Sequence, residues 1–170
     1  NRGLQVGAFK CGPDYIDPMF HSRVIGAKAR NLDLHFFSEN TLRCLLAQNA
    51  ADRDVSVIEG VMGYYDGAGL TSEKASSYEV AKVSRTPVVL VVNARGAALS
   101  LLPVIQGFLH FRASSGIRGV ILNQCTAMTY GALKPCIEAQ CGIRCYGFLP
   151  RIAEAEVGSR HGAYHCGRGG

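Results

Sequence analysis

Short apolar runs rich in β-branched residues alternate with helical patterns along the whole chain. The strongest run is PVVLVVNA, which begins at Pro87 and is typical of a strand that is covered on both faces. Four further runs predict strands: LQVGAF, DVSVIEG, GVILNQ and RCYGFLP. Because parallel neighbouring strands need crossover connections, this alternation predicts an α/β fold with a doubly wound, mostly parallel sheet in a single domain.

The segments between these strands carry apolar residues at helical spacing. Ser38 is a candidate N-cap for the first predicted helix, and Gly142 is predicted to close the last one. The predicted helices are SENTLRCLLAQNA, SSYEVAKVSR, ALSLLPVIQGFLHF and TYGALKPCIEAQCG.

Charge and hydropathy exclude two broad classes of protein. The formal net charge of +5 would suit nucleic-acid binding, but the eighteen Lys and Arg residues are scattered rather than gathered into a stripe. No apolar stretch approaches the roughly 20 residues that a membrane span requires, and no signal peptide is predicted. We therefore expect a soluble, cytoplasmic protein that binds neither nucleic acid nor membrane.

The seven cysteines match no disulfide framework of a small secreted domain, so they are predicted to be reduced thiols. Cys136, Cys141 and Cys145 lie close together in sequence and could suggest a metal site. The CxxC knuckle of structural zinc is absent, and Cys136 falls in a helical pattern while Cys145 falls in a strand-like one. We interpret the three as core or surface thiols.

Unusual loops follow four of the predicted strands: FKCGPDYIDP, EGVMGYYDG, NARG and NQC. In parallel sheets, ligands bind at the carboxyl ends of the strands. In EGVMGYYDG, Glu59 is followed by glycines that let a backbone approach a ligand, and then by Asp66. An acidic residue at this place commonly holds Mg²⁺ in a nucleotide-binding sheet. The alternative is that Glu59 caps a neighbouring helix and that the glycines only make turns.

The loop after the first strand combines a lysine with two carboxylates. Lys10 could neutralise a phosphate, while Asp14 and Asp17 could orient a substrate or a nucleophile. The alternative is a rigid surface turn in which Pro13, Asp14 and Pro18 serve ordinary turn chemistry.

Several motifs together, in this order, resemble the synthetase domain of the cobyrinic acid a,c-diamide synthase family: FKCGPDYIDPMFH, RNLDLHFF, EGVMGYYDG, PVVLVVNARG and GVILNQC. The resemblance covers about Leu4 to His161. It implies a fold similar to dethiobiotin synthetase, a branch of the P-loop NTPase-like proteins. It also implies a synthetase-like, nucleotide-binding domain over residues 1–158, followed by an irregular tail over residues 159–170.

This resemblance implies ATP-dependent amidation of the a and c carboxylates of cobyrinic acid, or of a related tetrapyrrole acid, in cobalamin biosynthesis. Phosphoryl transfer from ATP, with Mg²⁺, would give an acyl phosphate that ammonia displaces as the amide. The implied enzyme is a carbon–nitrogen ligase and glutamine amidotransferase, with a glutaminase domain as the ammonia source. A homodimer is compatible with it. Relatives that act on hydrogenobyrinic acid or nickel sirohydrochlorin share the motifs, so the motifs define the reaction better than the macrocycle.

The resemblance also implies roles for single residues. Lys10 would contact the transferring phosphate, Glu59 would hold Mg²⁺, and Asp66 would belong to the catalytic set. Asn123 would contact adenine. Four consecutive residues would shape the corrinoid pocket: Asp14, Tyr15, Ile16 and Asp17. Other residues that match the family pattern would order the loop rather than perform chemistry: His21, Arg30, Asn31 and Asp33.

The chain departs from the family pattern at both ends. It contains no GxxxxGK[ST] phosphate loop, and GAYHCGRGG stands where the family continues toward its glutaminase domain. We interpret this tail as a reading-frame change or an artificial join, and we expect the truncated chain alone to bind ATP weakly. The alternatives are a non-catalytic fragment or scaffold of the same fold, or another ATPase of the dethiobiotin synthetase or partitioning branch.

Overall fold

The structure is a computed structural model that describes residues 2–12 and 29–152. In chain order the described residues form β1 (Val6–Cys11), β2 (Ala29–Leu32), α1 (Glu39–Ala50), β3 (Val55–Glu59), α2 (Ser77–Ser84), β4 (Val88–Asn93), α3 (Leu101–His110), β5 (Ile117–Asn123), α4 (Ala127–Cys141) and β6 (Arg144–Leu149). The predicted alternation of strands and helices is confirmed. The sequence patterns did not predict β2.

The described strands form two three-stranded sheets, in the orders β2-β1-β3 and β4-β5-β6. β1 runs parallel to both of its neighbours, with Ala8 opposite Ala29 on one side and opposite Val57 on the other. β5 and β6 are also parallel, with a register irregularity between Val120 and Ile121. An α/β organisation with parallel strands is therefore confirmed, while the doubly wound, dethiobiotin synthetase-type connectivity stays a prediction.

By its contacts the chain divides into two compact units. The first comprises Asn1–Leu90 and Leu109–Arg118, and the second comprises Val91–Phe108 and Gly119–Gly170. The sheet β2-β1-β3, with α1 and α2, belongs to the first unit, whereas α4, β6 and most of α3 belong to the second. Domain boundaries predicted from the sequence stay predictions, because the tail after Ile152 lies outside the described residues.

The core of the first unit lies between β1, β2 and the two helices α1 and α2. Burial of these apolar side chains is the main source of its stability, at about 25 cal/mol for each Å² removed from water. The buried members are Phe9, Cys11, Leu32, Leu42, Val80 and Val83, and the half-buried side chains around them include Leu34, Leu45, Leu46 and Ile58.

The helix ends follow the capping chemistry of the sequence. Ser38 caps α1, and its side chain accepts a hydrogen bond from the N–H of Thr41 at 3.2 Å, as predicted. Gly142 ends α4 with a positive φ of 66°, also as predicted. Thr126 caps α4, so this helix begins slightly earlier than TYGALKPCIEAQCG suggested.

The prediction that β4 is covered on both faces is wrong for the structure as described. Leu90 and Val92 are buried, but Val89 and Val91 are 45% and 57% exposed. β-branched residues favour the extended backbone of a pleated strand even where one face stays open. A continuous run of valines therefore indicates a strand more reliably than it indicates burial.

The three clustered cysteines are divided between a helix and a strand. Cys136 and Cys141 lie on α4 and Cys145 lies on β6, which confirms the helical and strand-like patterns read from the sequence. Cys145 is buried and the other two are half-buried. Separately, none of the helices in the described ranges has both the length and the apolar character needed to cross a bilayer.

Candidate active site

Lys10 and Glu59 meet at the carboxyl ends of β1 and β3. They are directly opposite one another in the parallel register, and Lys10 Nζ lies 3.1 Å from Glu59 Oε1. The ammonium also donates a hydrogen bond to the carbonyl oxygen of Gly60 at 3.4 Å. The Lys10 side chain is only 5% exposed, whereas the Glu59 side chain is 46% exposed. Since a buried ammonium needs compensating charge and hydrogen bonds, these contacts fix its position.

This ion pair has a buried positive end and a hydrated negative end. Because little water surrounds Lys10, its charge is weakly screened. An anion that comes into contact with the ammonium would therefore be strongly attracted to it. Glu59 can be approached by a hydrated cation from solvent. The arrangement suits a phosphate that is accompanied by a divalent cation, and it brings together two residues that the sequence analysis placed in one site.

The loop after β3 is held by the first residue of α2. Ser77 Oγ accepts a hydrogen bond from the N–H of Val61 at 3.0 Å and donates one to the Val61 carbonyl oxygen at 3.3 Å. A Cβ at Gly60 would lie 3.0 Å from Ser77 Oγ, so glycine permits this close approach. The sequence predicted a helix over SSYEVAKVSR, but it did not predict that Ser77 contacts the preceding loop.

Asp66 closes a turn further along the same loop. Its Oδ2 accepts a hydrogen bond from the N–H of Gly63 at 3.1 Å, and its own N–H donates to the Gly63 carbonyl oxygen at 3.0 Å. Asp66 is exposed. The structure therefore shows a turn-forming function for Asp66, and its catalytic role stays a prediction.

Three polar residues near the end of β2 make hydrogen bonds to the backbone. Arg30 donates to the Ala29 carbonyl oxygen at 3.1 Å, and Asn31 donates to the Gly12 carbonyl oxygen at 3.0 Å. Asp33 Oδ1 accepts from the N–H of His35 at 2.8 Å. Such contacts agree with the prediction that these residues order the chain.

Cys11 ends β1 next to this site, inside the core. Burial raises the pKa of its thiol to about 11, against a smaller lowering by a hydrogen bond with Ser77. The thiol is therefore neutral near pH 7 and is a poor nucleophile. Cys11 is therefore a core residue rather than a reactive group.

Asn123 ends β5 in the second unit. Its Oδ1 accepts a hydrogen bond from the N–H of Gln124 at 3.0 Å, and its carbonyl oxygen accepts one from the N–H of Ala94 at 2.8 Å. Gln124 has a positive φ of 55°, so the chain turns immediately after the strand. The bond from Gln124 orients the Asn123 side-chain amide, and its contact with adenine stays a prediction.

Curated proteins match almost the whole chain. It is 44% identical over 162 residues to the cobyrinate a,c-diamide synthase of Caldanaerobacter subterraneus subsp. tengcongensis, covering 95% of this chain and 36% of that protein. The Clostridium tetani protein of the same name is 38% identical over 160 residues, covering 94% of this chain and 36% of that one. The hydrogenobyrinate a,c-diamide synthase of Streptomyces coelicolor is 41% identical over 160 residues, covering 94% of this chain and 33% of that protein. No protein-family model matches the chain.

Almost the whole chain is therefore similar to one part of the cobyrinate and hydrogenobyrinate a,c-diamide synthases. The resemblance read from the motifs is thereby confirmed. The chain spans about a third of the length of the curated relatives that it matches. Relatives named for cobyrinate and for hydrogenobyrinate have comparable identities, so similarity alone does not select one macrocycle.

A magnesium site in this protein would depend mainly on Glu59. Within residues 2–12 and 29–152, no group of three or more His, Cys, Asp or Glu side chains is arranged to hold a metal ion. Mg²⁺ often keeps several of its waters and binds one or two carboxylates together with substrate phosphates. A single half-exposed carboxylate fits that kind of site. It does not fit a cage built only from protein ligands.

Part of the predicted site falls outside the described residues. This applies to the four residues expected to shape the corrinoid pocket and to one further loop residue: Asp14, Tyr15, Ile16, Asp17 and His21. Their roles stay predictions.

Proposed function

We propose that this chain forms part of an ATP-dependent enzyme that amidates the a and c carboxylates of cobyrinic acid or of a related tetrapyrrole acid. Similarity to curated cobyrinate and hydrogenobyrinate a,c-diamide synthases supports this reaction class. The observation that carries the proposal at the level of residues is the contact between Lys10 and Glu59 at the carboxyl ends of two parallel strands.

The chemistry explains why such a site needs both charges. A carboxylate does not react with ammonia at useful rates, because oxide is a very poor leaving group. Transfer of the γ-phosphoryl group from Mg-ATP to the carboxylate would give an acyl phosphate and ADP. Ammonia released from glutamine would then attack the acyl carbon, forming the amide and releasing phosphate. The protein must therefore hold a highly anionic phosphoryl group next to a carboxylate that would otherwise repel it.

Lys10 would bind an oxygen of the transferring phosphoryl group. Its ammonium is already placed by Glu59 and by the Gly60 carbonyl oxygen. A charge that is positioned beforehand, in a region with little water, stabilises developing negative charge more than a mobile surface lysine does.

Glu59 would hold the magnesium ion. It is the exposed member of the pair, so a hydrated cation can reach it from solvent. Its neighbour Gly60 and the contact between Ser77 and Val61 keep the following loop close to α2, which fixes the backbone on which the carboxylate stands. Lys10 would thus contact the phosphoryl group directly, and Glu59 would act on the same group through the magnesium ion.

The remaining roles belong to the same proposal. Asp66 would join the catalytic set, and Asn123 would contact adenine. The corrinoid pocket would be formed by Asp14, Tyr15, Ile16 and Asp17. A P-loop NTPase-like fold, a glutaminase domain as ammonia source, a cytoplasmic location and a homodimer are further parts that rest on the sequence resemblance alone.

Glu59→Gln in the full-length gene product tests the proposal. We expect turnover with cobyrinic acid, ATP and glutamine to fall by at least about a hundredfold, because the metal loses its carboxylate ligand. Glu39→Gln is the matched control, since it makes the same chemical change at an exposed glutamate that also forms an ion pair, in its case with Arg43. Unchanged turnover of Glu59→Gln at saturating Mg²⁺ would remove Glu59 from the site. A wild-type protein that amidates no tetrapyrrole acid would favour the non-catalytic alternative.

A further inference from the structure

A cavity of about 310 Å³ lies at the carboxyl end of β2 in the first unit. Asn31, which lines it, is directly opposite Lys10 in the register of β1 and β2. The cavity is therefore one strand away from the Lys10–Glu59 pair. Its other side chains of interest are two phenylalanines and two charged residues: Phe36, Phe37, Arg30 and Asp33.

Asp33 is the unusual member of this lining. The residue is only 3% exposed, and its Oδ1 accepts a hydrogen bond from the N–H of His35 at 2.8 Å. Its Oδ2 is buried and has no hydrogen-bond partner within the part of the chain that the structure describes. A buried carboxylate oxygen without a donor costs free energy. A ligand that brings an N–H group would relieve this cost, whereas a ligand that brings a second carboxylate would increase it.

The remaining lining suits the edge of a ring system. Phe36 is 68% exposed and Phe37 is 37% exposed, so both offer apolar surface to a ligand. Arg30 is exposed and carries a guanidinium that can bind a carboxylate. The volume is near the lower end of ligand pockets, so it fits one ring edge with its side chains rather than a whole tetrapyrrole.

We infer that this cavity is a subsite for an already amidated edge of the macrocycle, whose acetamide NH₂ donates to Asp33 Oδ2. This inference rests on the proposed function. An acetate at the same place would bring a negative charge to Asp33 and no donor. The reaction converts acetates into acetamides, so the cavity distinguishes its product from its substrate. It would favour a half-amidated macrocycle over the unmodified acid and thereby promote the second amidation.

Calorimetric titration of the full-length gene product, without nucleotide, tests the inference with cobyrinic acid and its a,c-diamide as probes. We expect the wild-type protein to bind the diamide at least about fivefold more tightly than the acid, from one charge-assisted hydrogen bond. Asp33→Asn should bring this ratio close to one, because the neutral side chain no longer repels an acetate. Asp52→Asn, which makes the same charge change at an exposed residue, should leave the ratio unchanged.

Phe36→Ala provides a second variant that is independent of charge. The side chain is largely exposed, so the protein should fold, and both probes should bind more weakly by a similar factor. Equal wild-type affinities for the two probes, or an unchanged ratio in a folded Asp33→Asn protein, would overturn the inference and leave the proposed function standing. Failure of the wild-type protein to bind either probe would overturn both.

Discussion

Substituting Glu59 and substituting Lys10 should lower the free energy of unfolding by unequal amounts, although each change breaks the same contact. Glu59→Gln replaces a charged partner of the buried Lys10 ammonium with an uncharged one, while the Gly60 carbonyl oxygen still accepts its hydrogen bond. Removing one partner from a fully buried pair costs about 3–5 kcal/mol, and because Glu59 is half exposed we expect about 2 kcal/mol here. Lys10→Met instead removes the buried charge and leaves a carboxylate that water can solvate. We expect Lys10→Met to cost less than about 1 kcal/mol.

Urea unfolding of the variants, followed by circular dichroism, measures these differences from the transition midpoints. The double variant should resemble Lys10→Met, since both proteins lack the buried Lys10 ammonium. Glu39→Gln is the control, because Glu39 and Arg43 are also 3.1 Å apart but both are exposed. That change should cost less than about 0.5 kcal/mol. If Lys10→Met costs more than Glu59→Gln, or if Glu59→Gln costs no more than the control, the reasoning from burial is wrong.

Three smaller predictions concern the backbone and the thiols. Asp66→Asn should change the free energy of unfolding by less than about 0.5 kcal/mol, because the amide oxygen can still accept the hydrogen bond from Gly63. Asp66→Ala should lower it by about 1 kcal/mol in urea unfolding, and equal losses for the two variants would contradict this. A Cβ at Gly67 would collide with a backbone carbonyl oxygen, while one at Gly131 on α4 meets nothing within 4 Å. Thermal unfolding should therefore show loss of stability for Gly67→Ala and a gain of about 0.5–1 kcal/mol for Gly131→Ala. At pH 8, iodoacetamide should label the exposed Cys44 but spare Cys11, because a pKa of about 11 leaves only about one Cys11 thiol in a thousand as thiolate. Mass spectrometry of the peptides measures the labelling of each cysteine. Equal labelling of Cys44 and Cys11 in the folded protein would contradict the prediction.

The meeting of Lys10 and Glu59 could be predicted because it follows from topology. Residues at the carboxyl ends of adjacent parallel strands lie along one edge of a sheet, and the sequence places both residues at such ends. Caps were predictable for a similar reason, since Ser38 and Gly142 satisfy backbone groups within a few residues of themselves.

Features that depend on distant packing could not be predicted. β2 is the four-residue segment ARNL, which has no apolar alternation, and its extended form depends on pairing with β1. The exposure of Val89 depends on what covers the sheet, which the valine run does not encode. Asp33 was predicted to order its loop, and its Oδ1 makes such a bond, but the unpaired Oδ2 could be identified only from the three-dimensional structure.

The most direct test of the account is whether the full-length gene product makes a diamide, and whether this requires Glu59. Mass spectrometry of the corrinoid after incubation with cobyrinic acid, ATP, Mg²⁺ and glutamine identifies the mono- and diamides. A parallel reaction with hydrogenobyrinic acid shows which macrocycle is preferred. We predict conversion to the a,c-diamide by the wild-type protein and at least about a hundredfold slower conversion by Glu59→Gln. Absence of any amide with either acid, or equal rates for the two proteins, would contradict the account.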